Sequence, residues 1–361
     1  MNAERRRLLR LLAASCALPA PALGQGFAGL GTDAEGFAIP QPDPAFRFPD
    51  DHGAHPEFRI EWWYVTAILD GADGRPYGIQ WTLFRSALAP EDRPGWASPQ
   101  IWFAHAGLTT PERHFVGETL ARGGIGQAGV RTDPFVAWID DWSMVSRTDP
   151  GKDAFSALDI TANGPDFSYA LALDAEGPLV FQGANGFSLK SATGQASYYY
   201  AQPFYRVTGR LDLPGGPVEV TGRAWLDREW SSQPLEANQT GWDWFSLHLD
   251  GGLNDGEKLM AFRLRDDGPG YSQANWITAA GENSHIGDGA VTFTPLGWTD
   301  IDGRRVPTEW RLQIPDRGLD ITTVPLNPRS WMGTQLAYWE GPISFSGSHA
   351  GRGYLEMTGY D

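Results

Sequence analysis

The chain has 361 residues, 41% of them hydrophobic and 20% charged, a composition that marks a globular protein with room for two domains and excludes a disordered one. A formal charge of −16 with no basic stripe argues against nucleic acid and anionic lipid surfaces as partners. Sixteen Trp, 18 Phe and 11 Tyr are more aromatic surface than two ordinary cores need; they suit β-barrels that hold an apolar or planar ligand, although large β cores also consume aromatics.

Residues 1–24 read as a signal segment. Arg5-Arg-Arg-Leu-Leu-Arg10 is a basic start, Leu11–Leu18 is a modest apolar run, and Ala22-Leu-Gly24 is a small-residue cleavage site ahead of Gln25. The Arg-Arg-x-Leu-Leu-Arg pattern fits a twin-arginine signal, so export to the periplasm is expected. The run is too short to span a bilayer, and no transmembrane segment is expected in the mature chain. Lipid anchoring at Cys16, the only cysteine, is the second reading, because Ala13 stands where Leu would be expected. Cleavage removes that cysteine, and with it disulfide and thiol chemistry, and takes the formal charge from −16 to −19 through the loss of four Arg and one Glu.

Residues 25–50 form a Gly-, Pro- and Asp-rich extended lead-in. From Arg59 onward, strand-length segments alternate with turns such as Asp70-Gly71, Pro214-Gly-Gly216 and Asp302-Gly303. In Tyr77–Arg85 one face takes Tyr77, Ile79, Trp81 and Leu83, the period of two of an antiparallel strand. Similar strands are expected over Ile101–Leu108, Phe135–Met144, Ala196–Ala201, Tyr205–Leu213, Val218–Trp230, Lys258–Leu264 and Ala337–Phe345. No stretch holds a 3.6-residue apolar period, so helices should be few and short.

Glu61-Trp-Trp-Tyr-Val-Thr-Ala-Ile-Leu-Asp-Gly71 recurs about 180 residues later as Gly241-Trp-Asp-Trp-Phe-Ser-Leu-His-Leu-Asp-Gly251. Trp62 falls on Trp242 and Tyr64 on Trp244, and a strand with Phe-Arg follows each copy (Phe84-Arg85, Phe262-Arg263). Duplication explains both. The expected fold is therefore all-β, with two tandem antiparallel β-barrels related by internal duplication, over residues 51–203 and 204–361. A site shared by both halves should lie near Trp62, Tyr64, Trp242 and Trp244, and a closed barrel would itself enclose a cavity.

The sharpest cluster of chemistry-bearing residues is Val218–Trp230, where Arg223, Trp225, Asp227 and Glu229 share one strand face. If that face points into a Trp-walled cavity, desolvation and mutual repulsion would raise one carboxyl pKa and poise it as a proton donor. The alternative is a surface or interdomain ladder of ion pairs. Asp243 shares a face with Phe245, Leu247 and Leu249; the structural reading, burial against Arg263 or Arg265, stands ahead of the catalytic one, and Glu61 is judged the same way. Asp51, His52, His55 and Glu57, with His105, have metal-ligand chemistry but no recognised metal motif, so no metal and no cofactor is expected. No Gly-x-Ser-x-Gly elbow or phosphate-cradling loop is present.

His55-Pro-Glu-Phe-Arg-x-Glu-Trp-Trp-Tyr64, Trp225-Leu-Asp-Arg-Glu-Trp-Ser-Ser232, Gly241-Trp-Asp-Trp-Phe245, Tyr338-Trp-Glu-Gly341 and Gly353-Tyr-Leu-Glu-Met-Thr-Gly-Tyr360 occur in this order. Together they resemble the AttH / carotenoid 1,2-hydratase (CrtC-like) superfamily from about residue 50 to the C-terminus. The resemblance implies a pair of lipocalin-like barrels. It also implies either hydration of a terminal double bond of acyclic carotenoids or an exported protein tied to ABC-type lipid or lipoprotein export, sometimes described as a predicted secreted hydrolase. The hydratases use an aspartate in Tyr-x-Asp, preceded by His-x-Trp; Trp225-Leu-Asp227 and Tyr198-Tyr-Tyr200 stand at those places here. The resemblance thus carries over Asp227 as the acid, while Tyr198 and Tyr200 replace the His and the Trp, and loss of that His removes a proton relay. Two functions follow. One is an exported binder of a lipid or isoprenoid with hydratase or hydrolase activity. The other is a carotenoid-hydratase-type enzyme in which Asp227 protonates a C=C bond beside Trp225, Tyr198 and Tyr200.

Overall fold

The computed structural model describes residues 34–360; the signal segment, Cys16 and the first part of the lead-in lie outside the described residues. Its first sheet opens with β1 (Ile60–Gly71), β2 (Pro76–Ala87), β3 (Gln100–Thr109) and β4 (His114–Arg122). A meander follows: β5 (Ala128–Thr132), β6 (Phe135–Ile139), β7 (Trp142–Ser146), β8 (Ala157–Gly164) and β9 (Phe167–Ala175). Two short strands, β10 (Val180–Phe181) and β11 (Phe187–Leu189), precede the long β12 (Ala196–Leu213) and β13 (Gly216–Ser231). The second sheet begins with β14 (Gly241–Asp250), β15 (Lys258–Arg265), β16 (Tyr271–Ile277), β17 (Asn283–Ile286) and β18 (Thr292–Ile301). It ends with β19 (Arg304–Ile314), β20 (Leu319–Pro325), β21 (Trp331–Met332), β22 (Tyr338–Gly347) and β23 (Ala350–Thr358).

The strand orders are β4-β3-β2-β1-β13-β12-β9-β8-β7-β6-β5 and β17-β16-β15-β14-β23-β22-β20-β19-β18, antiparallel throughout. The first sheet curls into a near-closed barrel, and the second forms a half-barrel. This is the duplicated all-β architecture expected, with one half left open. Helical structure among the described residues is limited to three-residue 3₁₀ turns.

Three local expectations change. Ala196–Ala201 and Tyr205–Leu213 are one strand: Pro203 cannot donate to the ladder, and the chain absorbs it as a bulge between Gln202 and Tyr205. A boundary at 203/204 would cut that strand, and the changeover between sheets falls at residues 232–240 instead. Phe135–Met144 is two strands, split at Asp140-Asp141, where Asp140 takes a φ of 50°.

The repeated Trp strands are apolar because each is buried on both faces. On β1, Trp63, Val65, Ala67 and Leu69 face the barrel core, whereas Tyr64 and Ile68 pack toward the second sheet. On β14, Phe245, Leu247 and Leu249 fill the second core, and Trp244 faces the first sheet. A third apolar cluster, including Tyr64, Tyr199, Trp225, Trp244, Phe262 and Tyr354, therefore lies between the sheets.

The duplication shapes this interface. In the ladders, Arg223 lies opposite Ile68 and Asp227 opposite Tyr64; in the second half Arg352 lies opposite His248 and Glu356 opposite Trp244. Arg223-Ala-Trp-Leu-Asp227 is thus the counterpart of Arg352-Gly-Tyr-Leu-Glu356. Arg223 clasps Asp250 of the second half at 2.6 and 3.0 Å, while Arg352 clasps Asp70 of the first at 2.7 and 2.8 Å. Such reciprocal pairing is the mark of a two-fold-like interface. Trp244 meets Tyr64 edge to face at the centre, ring centroids 5.4 Å apart.

Candidate functional site

A cavity of about 480 Å³ opens between the sheets. The first half contributes Trp62, Tyr64, Phe84, Phe103, Lys190, Tyr199, Asp227 and Glu229; the second contributes Trp242, Trp244, Phe262, Leu264, Leu336, Tyr338 and Glu356. Its wall is mostly apolar with a few convergent polar groups, the make-up of a small-molecule site. The barrel interiors, by contrast, are filled by residues such as Trp63 and Trp81 in the first half and Trp310 and Trp339 in the second. The ligand-sized space thus lies between the halves, beside the Trp strands, and not inside a barrel.

Asp227 is 2% exposed. It accepts a hydrogen bond from Trp225 Nε1 at 2.7 Å and one from Tyr199, whose hydroxyl accepts from Trp244 Nε1 at 3.2 Å. Burial pushes its carboxyl well above the usual carboxylate range, and the Trp225 and Tyr199 hydrogen bonds offset this only in part. Among the described residues no guanidinium pairs with it, and the nearby Lys190 charge opposes the shift only in part. Two other buried carboxylates differ on this point. Glu61 is bound by Arg85 and Arg228, which outweigh its burial and hold its pKa well below the ordinary range. Asp243 is held by Arg263 at 2.9 Å, Arg265 at 2.6 Å and the Tyr360 hydroxyl at 2.8 Å.

The second half brings an acidic pair, of which Glu356 lines the cavity. Glu340 on β22 faces Glu356 on β23 across the ladder. The Tyr64 hydroxyl donates to Glu340 at 2.9 Å, and Trp242 Nε1 donates to Glu356. Burial, then the Glu356 charge, lifts Glu340 well above its ordinary value. Burial also pushes Glu356 up to about 7. Like charges this close favour one shared proton and one negative charge near neutral pH.

The other polar feature is Lys190, whose Nζ is 2.8 Å from Glu229 and lies over the Phe262 ring at 4.5 Å and the Tyr199 ring at 5.1 Å. At the far end, the His105 Nδ1 is 3.0 Å from the Tyr338 hydroxyl, and burial drives that ring down to a pKa of about 3.

Of the residues singled out in the sequence, Asp227, Glu229, Trp62, Tyr64, Trp242 and Trp244 come together on this cavity, and Trp225 backs Asp227. Tyr198 and Tyr200 do not. They oppose Trp230 and Arg228 and so share the barrel-side face. The Tyr200 hydroxyl meets His52 Nδ1 at 2.7 Å inside the first barrel, and the Tyr198 hydroxyl accepts from the Gln41 backbone. Tyr199, between them, is the tyrosine that reaches Asp227. Arg223 belongs to the inter-sheet ion pair, and Asp243 to the second core, paired as the structural reading expected. Among the described residues no three of His, Cys, Asp and Glu group as metal ligands; His55 bonds Asp51 and Glu61 instead.

Lys190, Tyr199, Glu340 and Glu356 were not evident from the sequence reading. A signal for Glu356 existed: laying Trp225-Leu-Asp227 on Tyr354-Leu-Glu356 extends the duplication to the acid itself. Lys190 sits in a loop with no pattern to mark it.

A family model described as AttH-like matches residues 39–360. The solved structure of a protein described as an AttH, from Nitrosomonas europaea, is similar with a TM-score of 0.79 at 36% identity, covering 90% of this chain and 100% of that one. Kievitone hydratase from Nectria haematococca gives a TM-score of 0.67 at 18% identity, covering 90% of this chain and 96% of its own. CghA, solved with Sch210972, gives 0.52 at 11% identity, with coverages of 91% and 97%. The last two likenesses are likenesses of fold. No curated protein matches the chain.

Proposed function

The chain belongs to the AttH-like family, and from that premise we propose that it binds an apolar small molecule between its two sheets and hydrates a carbon–carbon double bond of it, with Asp227 as proton donor. One observation carries this reading: a buried carboxyl, raised by desolvation and not ion-paired to any described side chain, lines a cavity walled by aromatic rings. The fold likeness to a protein named a hydratase makes the reaction class reasonable for this architecture.

The Asp227 O–H proton passes to one alkene carbon, leaving a carbocation on the other and a carboxylate on Asp227. The ring faces of Trp62, Trp242 and Tyr64 stabilise the cation. Water adds to it, and the negative charge shared by Glu340 and Glu356 takes the proton released, through Glu356 on the cavity wall. Return of that proton to Asp227 completes the net addition of one water. A site with one neutral acid and one anionic pair holds the two protonation states that such chemistry needs.

The second reading is a carrier, in which the Trp225 and Tyr199 hydrogen bonds make Asp227 a structural group. Replacing Asp227 by Asn distinguishes the two. With an acyclic isoprenoid alcohol as substrate and mass spectrometry reading the gain of one water, hydration should fall by about 100-fold or more while binding survives. An unchanged rate would refute the assignment.

A further inference from the structure

Lys190 is the one cationic side chain among the residues lining the cavity, and its Nζ meets no second carboxylate or carbonyl among the described residues. An ammonium has three donors, and only Glu229 offers this one an acceptor. The rings of Phe262 and Tyr199 stand on its other sides. Glu229, 5% exposed, lines the same cavity, and its Oε1 meets Nζ at 2.8 Å off the hydrogen-bond line and has no other donor among the described residues. Both groups lack a partner that a ligand in the cavity could supply.

The charges decide what that partner is. Lys190 and Glu229 together are neutral, so a carboxylate or phosphate head would gain from one and be repelled by the other while losing its own hydration. A hydroxyl satisfies both, accepting from Nζ and donating to Oε1. We infer that the ligand is an apolar molecule bearing one neutral hydroxyl or phenol head, held between Lys190 and Glu229, with its reactive double bond near Asp227. Asp227 is two residues from Glu229 on the same strand face, so head and double bond are about 6–7 Å apart, a few bonds along the molecule. A pure hydrocarbon leaves the pair unmet. The inference rests on reading the cavity as an apolar-ligand site.

The test uses three probes with one farnesyl skeleton: farnesol, the farnesoate anion and the hydrocarbon farnesene. Binding is read by quenching of tryptophan fluorescence. Wild-type protein should bind farnesol at least about tenfold more tightly than farnesoate. A Lys190→Met variant risks misfolding, because it leaves Glu229 buried alone, so the decisive variant is Lys190→Met with Glu229→Leu, which replaces the pair by apolar groups. It should lower the farnesol-to-farnesene affinity ratio by at least about tenfold. A ratio unchanged in the double variant, or farnesoate as the tightest wild-type ligand, overturns the head-group assignment and leaves the cavity reading intact. Failure of all three probes to bind wild-type protein overturns the cavity reading itself.

Discussion

At the scale of single residues, what separates function from structure here is the partner each buried carboxyl has. Glu61 and Asp243 are neutralised by guanidinium groups and serve the cores. Asp227, Glu340 and Glu356 are bonded by N–H and O–H donors or lie against each other, with no guanidinium paired to them among the described residues, and Asp227 and Glu356 line the cavity. This contrast yields a pH prediction. Glu356 is raised from 4.5 to about 7, so the folded chain holds its proton more tightly than the unfolded chain does. Its stabilising contribution is therefore full below about 4.5 and is lost as pH rises through 7. Buried His105, His114 and His248 are pushed down by burial and act in the opposite direction as pH falls below about 6.5. They are present in parent and variant alike. Comparing the two, Glu356→Gln should lose less stability than the parent between pH 5 and pH 8, read as urea midpoints. Parallel curves would contradict the assignment.

At the scale of strands, alternation made most elements legible, as in Tyr77, Ile79, Trp81 and Leu83 on one face of β2. It could not say which side of a strand is the inside. On β12, Tyr198 and Tyr200 look as good as Tyr199 until the register with β13 is known, and register is a property of the paired strands. Pro203 stands at the expected boundary, and the bulge that absorbs it into one continuous strand leaves no mark in the local pattern. The duplication was legible in the Trp strands but faded in β13 and β23, where Arg-x-aromatic-Leu-acid is all that survives. Gly222 and Gly351 hold equivalent places just before those arginines. A Cβ at Gly222 would come 2.1 Å from the Ile68 carbonyl oxygen, and one at Gly351 would come 2.0 Å from that of His248. Gly222→Ala and Gly351→Ala should each destabilise by about 1–3 kcal/mol in denaturant unfolding. A neutral outcome at either position would show that the strands are not drawn that close.

At the scale of the whole molecule, duplication turned two sheets into two walls. Each half keeps its own filled core and offers the other an aromatic face carrying one acid at the same ladder position, Asp227 and Glu356. Neither half forms the site alone. The sequence could not choose between a barrel and the interface, because the aromatics that line the cavity are indistinguishable by composition from those that fill the cores. The most direct measurement is a titration with the neutral fluorophore N-phenyl-1-naphthylamine, run on the parent and on Leu336→Trp, which fills the cavity wall from a half-buried position. A single site between the sheets gives one probe per chain in the parent and little or none in Leu336→Trp; two probes per chain, or undiminished binding in the variant, would rule that site out.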